Sequence, residues 1–463
     1  MEKVLNVEYL EDLLKKKNKH DVGQTMDVIP FLSKRTRVIR EHFNDTLGEY
    51  IRRICDLKLN KVKKDPDALF EEDNPFIEQI VSEVECENSD IEYDLKRFIE
   101  QYLYNKEKRI NPIHPFLFNY IPFSNSSNEN ELRKYAQFMM DVFVQDHNDI
   151  KQIFNDKSGD DILTELIIDN LEDLKSESYT KQYKPLLPCL TQLYQEDLIF
   201  LSHHKDYFLK TFSLLTHFYT FIYACQLVLK FDRFDKADYS KVDPLFFGLE
   251  WESLNKRRKP ADELEGFKRV REKESNLFVH IHTMSQLSHN TFNPENSFGK
   301  LPFMNYVQLN EYVQDSSEQV FLTSLKNWIA TYCEWRGLEN KDNSSTISEA
   351  FQILFNCLKE GMSTEVCIKF GQNIEDLGAN LFLKNRGSLG PILNLNHESL
   401  LMLTAVCVKD KRIPLNQLFD EFELRGVIFD RYSKKEIIDL LDSQNLIDKK
   451  SDSGDAQYVK PIL

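Results

Sequence analysis

Apolar side chains recur at helical spacing along most of the sequence. From about residue 129 onward they return every three or four positions, which places them on one face of an α-helix. In residues 160–174 this spacing aligns Ile162, Leu163, Leu166 and Ile167. Residues 186–231 predict two or three helices rich in Leu, Phe and Tyr, and residues 261–287 predict a charged helix. The pattern therefore predicts a mainly α fold with a multi-helical body.

Helix starts are marked by a polar residue followed three positions later by Glu, the spacing of a capping box. The pairs are Asn128 with Glu131, Asp315 with Glu318, and Thr346 with Glu349. We place the main boundary near Asn396, after a glycine-rich stretch. The chain is thus predicted to comprise an N-terminal helical region (1–128), a helical body (129–395) and a C-terminal module (396–463).

The C-terminal module has the clearest pattern. It predicts, in order, a helix over 397–408, an extended piece over 412–414, a helix over 415–424, a third helix, and strands over 446–450 and 456–460. Ser433 and Glu436 have capping-box spacing and predict the start of the third helix. Because helix, short strand, helix, helix and hairpin is the order of a winged helix, we expect a winged-helix-like module.

In a winged helix the third helix enters the DNA major groove and the hairpin contacts the backbone. The residues expected to contact DNA or a partner are Lys434, Lys435, Gln444, Lys449 and Lys450. The module, however, carries 12 acidic against 10 basic residues, and Asp439 and Asp442 lie on the third helix itself. Docking to a protein partner is therefore favoured slightly over direct DNA contact, and both interpretations stay open.

Charge is unevenly distributed in this chain of 463 residues, whose net charge is −16. Residues 1–64 carry 15 Lys/Arg against 10 Asp/Glu, whereas residues 65–95 carry 12 Asp/Glu and no Lys or Arg. These segments are either solvated helix faces or a basic docking surface beside an acidic one. The negative total implies that any contact with nucleic acid is local or shared with a partner.

A second basic cluster follows the Glu250-Trp251-Glu252 run. It consists of Lys256, Arg257, Arg258 and Lys259. The spacing does not match a nuclease site, in which an Asp and a Glu-x-Lys pair lie on adjacent strands. We expect a solvated loop that contacts phosphate or the acidic surface of a partner.

No catalytic motif is recognisable. The sequence has no P-loop, no G-x-G-x-x-G, no H-E-x-x-H and no G-x-S-x-G. His280, His282 and His289 are close in sequence, but helical geometry would splay the first two, so no metal site is predicted. We therefore expect no cofactor and lean towards a protein that is not an enzyme.

The apolar segment 212–231 is long enough to cross a membrane. It contains Ser213, Thr216, His217, Thr220 and Gln226, and acidic residues lie on both sides, which favours a buried core helix. The N-terminus lacks the apolar region of a signal peptide, and no two of the eight Cys form a CxxC pair. These features predict a cytoplasmic protein without a membrane partner.

Three runs of sequence resemble the DptG family, the middle component of the DptF–DptG–DptH (DndFGH) DNA phosphorothioation-dependent restriction system. They are residues 244–253 (PLFFGLEWES), residues 386–394 (RGSLGPILN) and the C-terminal run from Arg425-Gly426 through Phe429–Ser433 to KKSDSGDAQYVKPIL. The resemblance extends over most of the chain in length and order, and these runs are its specific part.

The resemblance implies a role in defence against invading DNA that lacks the phosphorothioate mark of the host. It implies a non-catalytic subunit that links DptF-like and DptH-like NTPase or translocase subunits, and reaches DNA through their complex. The missing P-loop agrees, because the NTPase motifs of such systems belong to the partners. Two alternatives remain: a metal-dependent nuclease subunit, and a winged-helix DNA-binding regulator.

Overall fold

Helices dominate the computed structural model, with 61% of residues helical and 8% in strands. This confirms the predicted mainly α class. The structure describes residues 4–17, 20, 25–59, 75–82, 84–104, 112–124, 127–144, 148–171, 173–254, 266–294, 299–313, 318–449 and 457–463. Elements are numbered below in chain order within these ranges.

The chain is divided into two compact units. The large unit comprises Met1–Glu41, Gln182–Tyr194 and Thr216–Leu463, and the small unit comprises His42–Lys181 and Gln195–Leu215. The three predicted regions, 1–128, 129–395 and 396–463, remain a prediction from sequence.

The early helices are mostly short. They are α1 (Val7–Lys17), α2 (Val38–His42), α3 (Asp45–Ile54), α4 (Pro75–Ser82), α5 (Ser89–Leu103), α6 (Glu129–Met139), α7 (Asn148–Asn155) and α8 (Ile162–Asp169). A π-helical turn, Met140–Val144, continues α6, and Pro115–Tyr120 forms a 3-10 helix. Strands β1 (Leu57–Lys58) and β2 (Lys175–Ser176) pair antiparallel.

Two groups of side chains in the interior of the small unit show how it is stabilised. In the first, the buried Glu49 of α3 accepts hydrogen bonds from Arg52, Arg53 and Arg133. Such pairing offsets the cost of burying charge. In the second, α4, α5 and α8 surround an apolar cluster that includes Ile80, Ile99 and Ile167. The predicted stripe of α8 is partly wrong, because Ile162 begins the helix and is 86% exposed.

The later helices include the longest one. They are α9 (Pro188–Ser202), α10 (Lys205–Phe231), α11 (Phe267–Arg271), α12 (Leu277–Leu287), α13 (Tyr306–Val313), α14 (Glu318–Arg336), α15 (Ile347–Gly361), α16 (Thr364–Gly371), α17 (Asn373–Gly378), α18 (His397–Val408), α19 (Leu415–Leu424) and α20 (Arg431–Ser443). Short 3-10 turns lie at Phe234–Lys236, Glu274–Asn276 and Gly387–Leu389. The helix predicted over 261–287 is interrupted between Arg271 and Leu277, and its predicted start at 261–265 lies outside the described residues.

Helix α10 alone among the described helices is long and apolar enough to cross a membrane, and 94% of its most apolar window is buried inside the protein. In the large unit, Phe218 and Phe221 of α10 pack against Phe382. The His217 ring nitrogen Nε2 lies 2.6 Å from the Leu377 carbonyl oxygen. This burial supports the interpretation of residues 212–231 as a core helix.

Short strands connect distant parts of the large unit. They are β3 (Leu245–Phe246), β4 (Gly248–Leu249), β5 (Leu383–Asn385), β6 (Pro391–Leu395), β7 (Ile413–Pro414), β8 (Val427–Ile428), β9 (Ile447–Lys449) and β10 (Gln457–Val459). They form a β3–β8 pair, a sheet of order β4-β6-β5, and a sheet of order β7-β10-β9. In the last sheet β10 is antiparallel to both neighbours.

The helix-start predictions succeed unequally. Thr346 and Glu349 form the predicted capping box at the start of α15. Asn128 precedes α6, but its side chain makes no capping hydrogen bond. The prediction for the third C-terminal helix is wrong by several residues: α20 begins at Arg431, and the Asp430 carboxylate accepts hydrogen bonds from the amides of Tyr432 and Ser433. Because Asp430 accepts the hydrogen bonds of these first-turn amides, it is the N-cap residue, and Ser433 lies inside the helix.

A candidate interaction site at the junction of three segments

Parts of the three runs singled out in the sequence, residues 244–253, 386–394 and 425–433, lie together in the large unit. Strand β3, from the first segment, pairs parallel with β8 from the third, with Leu245 opposite Val427 and Phe246 opposite Ile428. Strand β4, also from the first segment, pairs parallel with β6 from the second. We call residues 242–254, 383–397 and 425–433 the junction.

Arg386 connects the second segment to the first. Its guanidinium donates to the carbonyl oxygens of Leu249 (2.8 Å), Glu250 (3.1 Å) and Glu252 (3.2 Å), and to Asn394 Oδ1 (3.3 Å). A guanidinium suits this role because its planar array of N–H groups reaches several acceptors at once. The turn that contains Trp251 is thereby held against β6.

Ser433 connects the third segment to the first. Its hydroxyl donates to Glu252 Oε1 across 2.9 Å, and the same carboxylate oxygen accepts the Leu249 amide across 2.7 Å. Both side chains are buried, with Glu252 6% and Ser433 0% exposed. Since buried polar groups are costly without partners, these bonds fix α20 relative to the Trp251 turn.

The start of the first segment is anchored to α10. Gln226 donates to the Asp243 carbonyl oxygen (2.7 Å) and accepts from the Asp243 amide (2.8 Å). The Asp243 carboxylate also pairs with Lys230 (2.9 Å) and Arg233 (2.7 Å). A buried amide and a buried lysine on one helix therefore determine where β3 begins.

The start of the third segment is buried as well. Arg425 is 1% exposed, and its guanidinium bonds the carbonyl oxygen (3.0 Å) and carboxylate (2.9 Å) of Glu421. Gly426 has φ +85°, and a Cβ there would lie 3.0 Å from Val242 Cγ1. Glycine is required here by both the backbone conformation and the close approach.

The outer side of the junction presents an aromatic pair. The half-buried Trp251 ring stacks on the exposed His397 ring, with centroids 3.9 Å apart and planes 23° apart. Lys384 Nζ lies 3.2 Å from Glu250 Oε1 beside them. Tryptophan is common at protein interfaces because a large apolar ring is coupled to one polar group.

Only some of the predicted contact residues lie in the described part of the chain. Lys435 is exposed on α20, and Gln444 is exposed directly after that helix. The Lys434 ammonium instead lies 4.7 Å from the centre of the Phe419 ring, where it packs on α19. Lys449 is in β9, opposite Gln457. Lys450, Lys256, Arg257, Arg258 and Lys259 lie outside the described residues.

The described residues on either side of this basic segment lie at the junction. Leu254, the last residue described before it, is so close to Gly248 of β4 that a Cβ at Gly248 would lie 2.4 Å from Leu254 Cδ1. Gly266, the first residue described after it, packs beside the carbonyl of Phe246 in β3. Leu254 and Gly266 therefore both pack against strands of the junction.

A charge cluster lies next to Gly390 of the second segment, beside which the Arg271 guanidinium packs. Arg271 pairs with Glu375 (3.2 Å), and Arg35 bonds Asp376 through two nitrogens. Burial, followed by the charge of Glu375, raises the pKa of the neighbouring Glu274 to about 8. Arg35, which belongs to the basic N-terminal segment, therefore forms an ion pair within the protein.

Of the three histidines that are close in sequence, His280 and His289 are buried in the core and His282 is half-buried. His280 stacks on Phe355 with centroids 4.2 Å apart, and burial lowers its pKa to about 3. His289 stacks on Tyr9, and burial lowers its pKa to about 4. Within the described ranges, no three His, Cys, Asp or Glu side chains are grouped so that they could hold a metal ion.

Sequence reasoning missed the residues that hold the junction together. The sequence shows Glu252 only as part of an acidic run, Arg386 only as part of a run that resembles the DptG family, and Ser433 only as a predicted helix cap. The parallel pairing of two-residue strands has no local signature, so only the grouping of the three segments by resemblance pointed to this region.

No protein-family model matches the chain, and a comparison with curated proteins finds no match either.

Proposed function

We propose that this protein is a non-catalytic subunit of a DNA phosphorothioation-dependent restriction complex that acts against unmodified invading DNA. The observation that supports the proposal is the convergence of the three DptG-like segments in one junction, through β3–β8 and β4–β6 pairing. If the three runs resemble one family because they form a single structural feature, they should pack together although they are far apart in sequence.

We further propose that residues 396–463 form a winged-helix module. The order α18, β7, α19, α20, β9, β10 supports this, as does the antiparallel sheet of order β7-β10-β9. The extra strand β8 between α19 and α20 pairs with β3 instead of joining this sheet. In this proposal the module is built into the large unit through β8 and Ser433.

The module is proposed to dock a protein partner. Exposed side chains on α20 are mixed in charge, with Arg431 and Lys435 near its start and Asp439 and Asp442 further on. Acidic groups on a groove-entering helix repel phosphates, which favours a protein over a DNA duplex. The proposed partners are DptF-like and DptH-like NTPase or translocase subunits in the cytoplasm, with DNA reached through the complex.

The test is co-purification of the tagged chain from its native host, followed by DNA binding and nicking assays on the complex and on the isolated chain. We expect a P-loop NTPase to co-purify, the complex to bind DNA, and the isolated chain to bind weakly. Trp251→Ala and His397→Ala, which remove the stacked pair without touching Arg386 or Ser433, test whether the junction surface contributes to assembly.

Other outcomes would replace the proposal. Mg²⁺-dependent nicking by the isolated chain would indicate a nuclease subunit. A symmetric dimer that binds one DNA sequence, with binding weakened by Lys435→Ala, would indicate a regulator. Lys435 is the appropriate position because Lys434 packs on Phe419, so its removal would also alter the fold.

A further inference from the structure

An apolar cluster in the small unit includes residues of α5 that are buried and others that are only partly buried. Seven of its residues are buried, and seven more are only partly buried, including Leu95 and Tyr102 of α5. Ile91 and Phe98 on the same helix are 44% and 52% exposed. Large exposed apolar side chains that continue a core outward are typical of an interaction surface.

Ile91, Leu95, Phe98 and Tyr102 form a stripe, which we call the α5 stripe. Their spacing of four, three and four residues places all four on one side of the helix, as in the seam of a coiled coil. The Phe98 and Tyr102 rings stack with centroids 5.8 Å apart and planes 12° apart. A second helix lying along α5 would cover this stripe.

Charge beside the stripe restricts the occupant. The exposed Asp94 is three residues after Ile91 and four before Phe98, so it borders the stripe, and the exposed Asp90 lies one turn earlier. Over Ser89–Leu103, α5 carries four Asp or Glu side chains against two basic ones, Lys96 and Arg97. A second copy of this chain would bring like charges together, whereas a helix flanked by Lys or Arg would be attracted.

We propose that the α5 stripe is the docking site for a basic amphipathic helix of a partner protein. The identity of that partner, a P-loop NTPase subunit, rests on the proposed function. The basic, amphipathic chemistry of the helix does not, because it follows from the side chains of α5. Apolar side chains of the partner cover Ile91 and Phe98, and its Lys or Arg side chains face Asp90 and Asp94.

The first experiment measures the affinity of the full chain and its variants for purified P-loop NTPase subunits of the restriction system. We expect Ile91→Glu and Phe98→Glu each to raise Kd by at least about tenfold. The matched control is Tyr93→Glu, an aromatic 66% exposed on another side of the same helix, which we expect to change Kd by less than about twofold. Thermal unfolding should show that all three variants remain folded, with a slightly lower midpoint only for Phe98→Glu, which loses the stacking on Tyr102.

A second measurement separates this inference from the proposed function. Two labelled helical peptides, with Leu at heptad positions a and d and either Lys or Glu at e and g, are titrated with the full chain. We expect binding of the Lys peptide alone, and loss of that binding in Phe98→Glu but not in Tyr93→Glu. Such a result supports the docking site even if no NTPase subunit binds.

The inference is overturned if neither peptide distinguishes Phe98→Glu from Tyr93→Glu, or if the Glu peptide binds as well as the Lys peptide. It is also overturned if the wild-type chain self-associates and Phe98→Glu makes it monomeric, because the occupant is then a second copy. Binding of NTPase subunits equally by all variants would place their docking site elsewhere.

Discussion

The Ser433 hydroxyl donates a hydrogen bond to the buried Glu252 carboxylate across 2.9 Å, although the two residues are 181 positions apart. The bond joins the first turn of α20 to the turn that presents Trp251. Because neither residue is accessible to water, the contact acts as a structural link within the junction.

Replacing Ser433 with Ala should lower the free energy of unfolding by about 1–3 kcal/mol, because Glu252 loses a buried donor. Chemical denaturation at neutral pH measures the change. Ser443→Ala is the control, since that hydroxyl is exposed on the same helix and bonds only the Leu440 carbonyl of its own turn. Equal losses in both variants would argue against a special role for Ser433.

Replacing Arg386 with Ala should cost about 2–3 kcal/mol of stability, because several carbonyl oxygens of the Trp251 turn lose their donors. Arg386→Lys should recover only part, since an ammonium cannot match the planar donor array. Lys384→Ala, which removes a half-exposed ion pair with Glu250, should cost less than about 1 kcal/mol. Full rescue by Lys would show that charge alone matters.

Alanine substitutions at Gly426 and Gly337 separate the cost of a steric contact from the cost of backbone strain. Both have positive φ, +85° and +67°, but only Gly426 has a neighbour, Val242, at 3.0 Å from the position of a Cβ. Gly337→Ala should cost about 1 kcal/mol from backbone strain. Gly426→Ala should cost clearly more in the same denaturation assay, and equal costs would exclude a packing contribution.

Glu274 should make stability depend on pH. Burial and Glu375 raise its folded-state pKa to about 8, while Arg271 and Arg35 oppose the shift and Asp376 adds to it. In the unfolded chain the carboxyl ionises near its usual pKa of about 4.3. The stabilising contribution of the proton is therefore complete below about pH 4 and is lost as pH rises towards 8, at up to about 1.4 kcal/mol per pH unit.

Glu274→Gln should remove this dependence, because the amide keeps the shape of the protonated acid. Unfolding followed between pH 5 and 8 should show a smaller decline in the variant, and higher stability than wild type at pH 7. Glu272→Gln, at an exposed neighbouring position, should leave the pH profile unchanged. Parallel profiles for wild type and Glu274→Gln would mean that Glu274 ionises normally.

Local pattern was sufficient where a single segment determines its own structure. The helices predicted over 397–408 and 415–424 have those bounds, and Thr346 caps α15 as expected. Apolar periodicity and capping chemistry act within a few residues, so the mainly helical class and the burial of residues 212–231 could be inferred without a structure.

Tertiary structure decided the rest. Ser433 has the spacing of a cap, but Asp430 caps α20, and the Ser433 hydroxyl instead meets Glu252. Ile162 fits an apolar stripe, yet it is exposed at a helix start. The two-residue strands β3, β4 and β8 have no periodicity of their own, and their pairing depends on where α10 holds Asp243. Contacts between residues far apart in sequence depend on packing across the whole unit, which no local pattern contains.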